Sequence, residues 1–437
     1  MLRSPMARLV VMIILMVGLM VPLLMIYALV YDRTTMRSQA AETFQREWGG
    51  TQTLAGPVLT IPYRHAWRDA QGVAHEKTER FFLLPESVAF EGTVEPEVRA
   101  RGIFEIVVYT ARLKVTGRFP KPDLSQTRPS PTIVDWAAAT VDIGISDPRG
   151  IARGIVIAID GRAVQARPGV TPNGIFPVGV RGFLQDISAD ADPLAFEFEI
   201  HVKGTQALLF LPGGDETVVT LASSWPHPSF VGGPRERTST GAGFTASWQV
   251  PFFGRGFPSQ WTTADLSANE GHVRASTTTF GVTLIRPVDV YLQTERAVKY
   301  AALFIVLTFV TAFLWEVAGR ALVHPIQYTF VGFALCLFYL LLLSLAEHIG
   351  FDRAYALAAG GTIGLVSWYW TWVLNGASRG TVMGGVLAGL YGFLYLLLRL
   401  EDYALLAGSI GLFVVLALVM FMTRRVDWYN LKLGTQE

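Results

Sequence analysis

The chain has 437 residues, of which 51% are hydrophobic and 16% charged, with 36 basic against 35 acidic residues. A composition this apolar, with a mean hydropathy of +0.37, excludes a wholly soluble protein, because soluble domains carry about a quarter charged residues. The near-neutral balance contains no Lys/Arg-rich block, which argues against a nucleic-acid partner, whose phosphates call for a clustered basic surface.

The first apolar run is Leu9–Tyr31, preceded by Arg3 and Arg8 and followed by Asp32, Arg33 and Arg37. About 20 apolar residues, rising 1.5 Å each, cross ~30 Å of hydrocarbon. A secretory signal has a shorter apolar region and a small-residue cleavage site; Ser38-Gln39-Ala40 is the nearest approach to one. The expectation is therefore an uncleaved anchor over 9–31, after a cytoplasmic segment 1–8. Asp32–Trp48 lacks Pro and Gly and should prolong the helix until Gly49-Gly50 ends it.

Residues 32–299 then change to period two. Ala111, Leu113, Val115 and Phe119 alternate with Arg112, Lys114, Thr116 and Arg118, and Phe196, Phe198, Ile200 and Val202 with Glu197, Glu199, His201 and Lys203. Each such strand has one face for a core and one for water. Turn signals recur at Gly92, Asp147-Pro148-Arg149-Gly150, Asp160-Gly161, Pro172-Asn173-Gly174 and Pro212-Gly213-Gly214. This pattern predicts one large antiparallel β-rich domain, a sandwich or open barrel, outside the cytoplasm. The lone cysteine, Cys336, lies in an apolar run; with no disulfide possible, the domain must be held by its core alone.

Five further apolar runs follow: Ala301–Trp315, Ile326–Ala346, Ala354–Val373, Thr381–Leu398 and Tyr403–Met422. Their short joints predict a compact antiparallel bundle over 300–422, with a cytoplasmic tail 423–437. The whole reads as an α+β membrane protein: an N-terminal transmembrane helix, the β-rich domain, and a C-terminal bundle of about five transmembrane helices. With the N-terminus inside, inner segments hold Arg3, Arg8, Arg320, Arg379, Arg424, Arg425 and Lys432, and the short outer loops hold Arg353 and Arg399. The positive-inside rule thus puts both termini in the cytoplasm. Aromatic anchors agree: Trp368, Tyr369, Trp370 and Trp372 gather at one end of the fourth span, and Trp428–Tyr429 follow the sixth.

Several residues stand out as candidate sites. In Ser224–Phe230, Pro226 and Pro228 stiffen a loop that would present Trp225, His227 and Phe230 to a partner, or else turn a structural corner. Glu347 and His348, near Asp352, could bind a metal or relay protons, or form a solvated loop at the membrane surface. Glu316 has Arg320 four residues on, the spacing of a helical salt bridge. Gly360/Gly364 and Gly385/Gly389 fit close packing of spans four and five, with homodimerisation as the alternative. No acidic or basic residue lies near the middle of a span, and no proline interrupts spans two to six, which weighs against coupled transport. Phosphate-loop, nucleophile-elbow, zinc-protease and dinucleotide signatures are missing, and no cofactor is implied.

The order of certain short segments resembles a known family. They include Leu54-Ala55-Gly56-Pro57-Val58-Leu59, Leu84-Pro85-Glu86-Ser87, Asp147 with Arg149-Gly150-Ile151, and Ser224-Trp225-Pro226-His227-Pro228-Ser229-Phe230. They continue with His324-Pro325, Gln327-Tyr328, Glu347-His348, Gly350-Phe351, Thr423-Arg424 and Asp427-Trp428-Tyr429. In these the chain resembles the CreD family of inner-membrane, cell-envelope integrity proteins. The resemblance implies a multi-pass protein of the bacterial inner membrane, linked to envelope stress and integrity, and brings no catalytic residues. The leading expectation is a non-enzymatic protein whose periplasmic domain binds an envelope component or a membrane partner. The alternatives are a membrane-bound hydrolase or ligase acting on envelope polymers, for which Ser224 or Ser229 with His227 is the local candidate, and a transporter or channel.

Overall fold

The computed structural model describes residues 5–125, 127, 130–184, 193–268, 278–285, 290–319, 323–373, 376–400 and 403–424. Its helices are α1 (Pro5–Trp48), α2 (Thr263–Ala268), α3 (Val290–Lys299), α4 (Ala301–Gly319), α5 (Pro325–Ile349), α6 (Phe351–Val373), α7 (Ala377–Arg399) and α8 (Ala404–Thr423). The chain forms two compact units, one from Met1–Ser38 with Val288–Glu437 and one from Gln39–Pro287.

In the second unit, α1 runs to Trp48 as its lack of breakers predicts, and stops at Gly49, whose φ is +108°. Only a residue without a Cβ takes that conformation at little cost. Among the described residues the strands build a ten-stranded and an eight-stranded sheet. The first runs, edge to edge, Pro228–Val231, Phe280–Leu284, Ala207–Phe210, Gln52–Arg68, Thr140–Ile145, Gly179–Phe183 and Arg167–Pro168, with three more strands off that path. The second is centred on Ser87–Arg101, Phe104–Phe119 and Leu194–Thr205. The predicted alternation holds: Leu113, Val115, Phe198 and Ile200 are buried, while Arg112, Lys114, Glu197 and Glu199 are exposed.

Both sheets turn apolar faces into one continuous core, Leu59, Ile61 and Phe210 from the first meeting Phe90, Val115 and Ile200 from the second. Each large apolar side chain so enclosed stabilises by about 1.5–3 kcal/mol. The expectation of a purely antiparallel arrangement needs correction. Gln52–Leu54 pairs in parallel with Leu208–Phe210, and Glu216–Ser223 in parallel with Ser87–Val94. Alternation reports which face a residue takes, and carries no information about the direction of a strand's partner. Gly92, expected at a turn, lies inside Ser87–Arg101, where a Cβ would come within 1.9 Å of the Arg112 carbonyl oxygen. It serves close strand approach instead. Asp160-Gly161 does turn, both residues at positive φ between Val156–Ile159 and Arg162–Gln165, as a two-residue hairpin requires.

Asp147 ties the start of the first long strand to its neighbours. Its Oδ2 accepts from the Gly50 N–H at 3.0 Å, and its Oδ1 caps the turn Pro148–Gly150 by accepting from Arg149 N–H. The Arg149 guanidinium grips both oxygens at 2.8 Å and, as the main cause, holds the carboxyl below its ordinary range.

In the helical unit, α1, α5, α7 and α8 are long and apolar enough to cross a membrane, and α3 with α4 forms a pair bent by 43° that qualifies together. The expected span Ala354–Val373 lies in α6, which is not among them; its first turn carries Asp352 and Arg353. α6 packs between α5 and α7, burying Ala354, Ala358, Thr362, Val366 and Trp370, a stripe with a spacing of four. The predicted glycine contacts fall elsewhere. A Cβ at Gly360, Gly364, Gly385 or Gly389 would meet nothing within 4 Å, whereas one at Gly380 or Gly384 would strike Thr371 or Ser367 of α6. A spacing of four puts residues on one helix face without saying which face meets a neighbour.

Residues 39–287, expressed alone, should fold as a strand-rich protein by circular dichroism. Its melting temperature should not change with reductant, since the segment contains no cysteine. A predominantly helical spectrum would contradict the two-sheet core.

Candidate functional site

The segment Ser224–Phe230 proves to be a pinned corner. Trp225 is partly buried against the main core, and its Nε1 donates to the carbonyl oxygens of His227 at 3.1 Å and Ile285 at 3.0 Å. The chain then enters Pro228–Val231, which pairs antiparallel with Phe280–Leu284 and forms one edge of the ten-stranded sheet. Phe230 turns inward, its ring 5.5 Å from Phe244 and 5.9 Å from Trp248. His227 remains exposed between these two anchors. The prolines and aromatics thus hold what is, among the described residues, an edge strand of the sheet, with an imidazole displayed beside it. Among the described residues no hydrogen bond joins His227 to Ser224 or Ser229, the pairing that hydrolysis would use.

Glu347, His348 and Asp352 turn to different partners. Glu347 is 8% exposed at its side chain; it accepts from the Tyr291 hydroxyl at 3.2 Å and lies 3.6 Å from Arg33 Nε. His348 Nδ1 sits 3.0 Å from the Ser344 carbonyl oxygen of its own helix. Asp352 pairs with Arg399 at 2.6 Å and accepts from the Tyr395 hydroxyl at 3.2 Å. Among the described residues no three His, Cys, Asp or Glu side chains converge to hold a metal.

Among the described residues of the helical unit, a different cluster holds the most enclosed charge. The Glu316 side chain is 1% exposed, and it pairs with Arg8 of α1, itself 12% exposed. Its second oxygen accepts from the Tyr328 hydroxyl of α5 at 3.0 Å, and Val323 N–H lies at 3.4 Å. One carboxylate therefore fastens α1, α4 and α5 together. The helical partner expected for it, Arg320, lies outside the described residues. Arg8 went unrecognised because it stands 308 positions away. The available signal was charge order: positive-inside counting puts Arg8 and the end of the Ala301–Trp315 run at the same membrane face.

Glu79, Asp142 and Arg255 are the buried charges among the described residues of the sheet unit. Asp142, fully enclosed, receives Arg181 Nε at 2.9 Å and the Thr60 hydroxyl at 3.1 Å. Arg255, equally enclosed, meets Asp215 at 3.0 Å; burial pushes its pKa down, and Asp215 opposes that. Both Asp142 oxygens are bonded, whereas Arg255 uses Nε and Nη2 and leaves Nη1 buried without a hydrogen-bond partner among the described residues.

The sequence profile of the family described as inner membrane protein CreD matches residues 4–429. The chain belongs to the CreD family. The inner membrane protein CreD of Escherichia coli (strain K12) is 32% identical over 421 residues, covering 94% of this chain and 90% of that protein. The matched stretch of this CreD-family chain takes in both units, the Trp225 corner and the Arg8–Glu316 pair alike.

Within residues 39–287, Trp225→Ala should cost about 2–3 kcal/mol, below the ~3–5 kcal/mol of a fully enclosed aromatic, because the ring is partly exposed. His227→Ala should leave the melting temperature within experimental error. Equal losses from both substitutions would contradict the pinned corner. In the full chain, Glu316→Leu should sharply lower accumulation, since it takes the carboxylate from the largely buried Arg8 guanidinium and the Tyr328 hydroxyl, at a cost of about 3–5 kcal/mol. Adding Arg8→Leu should restore it. Failure of the double substitution to recover would show that the pair is not the cause.

Proposed function

We propose that this CreD-family protein is a multi-pass inner-membrane protein with both termini in the cytoplasm. Its sheet-rich unit lies in the periplasm and supports envelope integrity by binding an envelope component or a membrane partner. The name of the relative in Escherichia coli, the apolar helices and the arginine distribution support the location. The observation that carries the binding role is the open edge at Pro228–Val231. There Trp225 fixes the backbone, one side of the strand has no sheet neighbour among the described residues, and His227 is exposed next to it. Such an edge takes an extended segment by main-chain pairing, with side chains beside it adding selectivity.

The test uses intact cells and the full chain carrying Cys336→Ser. A cysteine at Asp160 should react with an impermeant thiol reagent, and one at Gly376 only after the membrane is opened. A photocrosslinker at His227 should then give a discrete adduct that one at Gln71, in a remote turn, does not. External labelling at both cysteines would overturn the topology; identical adducts at His227 and Gln71 would overturn the edge as the binding surface.

A further inference from the structure

An apolar groove of about 1080 Å³ runs between α4, α7 and α8. It is lined by side chains such as Leu314, Trp315, Val386, Phe393 and Val414. Its one hydroxyl, on Thr311, already donates to the Leu307 carbonyl oxygen at 2.8 Å. Beyond Thr311 the only other side-chain polar group in the lining is the Trp315 indole N–H, so the groove favours hydrocarbon. None of the apolar window of α8 is buried within the protein, which leaves the groove open sideways to whatever surrounds that helix.

Length and charge narrow the occupant further. Along α8 the lining extends from Ala407 to Val419, roughly 18 Å at 1.5 Å per residue, close to the ~15 Å depth of one leaflet. The brief joint between α7 and α8 makes them antiparallel, so the start of α7 and the end of α8 lie together. Arg379 precedes the first lining residue of α7, Val382, by one turn, and Arg424 follows the last of α8, Val419. Trp315, a residue type favoured at the headgroup level, lines the groove. Both arginines are exposed, and Arg424 lies 3.9 Å over the Phe421 ring. Guanidinium groups of this kind suit a phosphate.

We infer that this groove is a phospholipid site, with an acyl chain between α4, α7 and α8 and an anionic headgroup at Arg379 and Arg424. A second copy of the chain would instead place an apolar helix against α8, an occupant with no use for the exposed arginines at the ends of α7 and α8. The inference rests on these helices lying in the bilayer, which the cysteine labelling above tests separately.

The experiment uses the full chain in nanodiscs of phosphatidylglycerol and phosphatidylcholine, each in turn carrying a photoreactive diazirine in its acyl chain. Adducts mapped by mass spectrometry should concentrate at Leu307–Trp315, Val382–Phe393 and Ala407–Val419, and favour phosphatidylglycerol. Arg379→Gln with Arg424→Gln should abolish that preference while adducts persist. Gly389→Leu with Val415→Phe, which fills the groove, should lower the adducts roughly tenfold, the change that ~1.4 kcal/mol of lost affinity produces. Leu405→Phe, on α8 outside the lining, should leave them unchanged. Adducts spread evenly over α1, α5 and α8 in the wild type would overturn the site, a readout independent of how any variant folds. Crosslinks between copies at Val414 in place of lipid adducts would overturn it in favour of a helix interface. An anionic preference that survives loss of both arginines would overturn the headgroup assignment.

Discussion

The sheet unit depends on the long pairing of Ser87–Arg101 with Phe104–Phe119, and of that strand with Leu194–Thr205. Because side chains alternate, a slip of one residue would send Phe90, Val115 and Phe198 to water and Glu91, Lys114 and Glu199 into the core. The outward face carries its own register marks. Arg112 meets Glu95 at 3.1 Å, Arg118 meets Glu86 at 2.8 Å, and Lys114 meets Glu197 at 2.8 Å, which raises the lysine's pKa. Exposed pairs of this sort add little stability each, so the register rests chiefly on the buried face. The remaining strands attach to a frame whose register is already decided.

The helical unit solves a different problem. Its apolar side chains gain little by leaving lipid for one another, so specificity must come from packing shape and from the few polar groups. Glu316 is one such group, holding three helices at once, and Glu347 with Tyr291 and Arg33 is another. α6 shows the alternative, a helix placed by a stripe of small and medium side chains between two neighbours. α8 has neither device, touching mainly α7.

Local physics made much of this readable from residues alone. An unbroken run without Pro or Gly announced the end of α1 at Trp48, and alternation announced which faces of the strands are buried. What depends on distant partners was hidden. The parallel neighbour of Ser87–Val94 lies beyond residue 215, and the partner of Glu316 lies at the opposite end of the chain. The Trp225 corner was legible as a stiff aromatic loop, yet its reading as a sheet edge needed Phe280–Leu284 beside it. The glycines of α7 were misassigned because spacing gives a face and not its orientation.

The junction at Gly49 carries a consequence for genetic variation. A Cβ there would lie 2.9 Å from the Lys203 carbonyl oxygen and 3.2 Å from the Cα of Gly150, and one on Gly150 would fall 2.3 Å from that same oxygen. Two glycines from distant parts of the chain thus abut one carbonyl group. Every missense change in a glycine codon adds a side chain, so neither codon has a conservative neighbour. Compensation by a second change is closed as well, since the obstacle is backbone and cannot be trimmed. The point where helical backbone gives way to strand should therefore tolerate less substitution than many positions in the hydrophobic core, where one aliphatic residue can stand in for another.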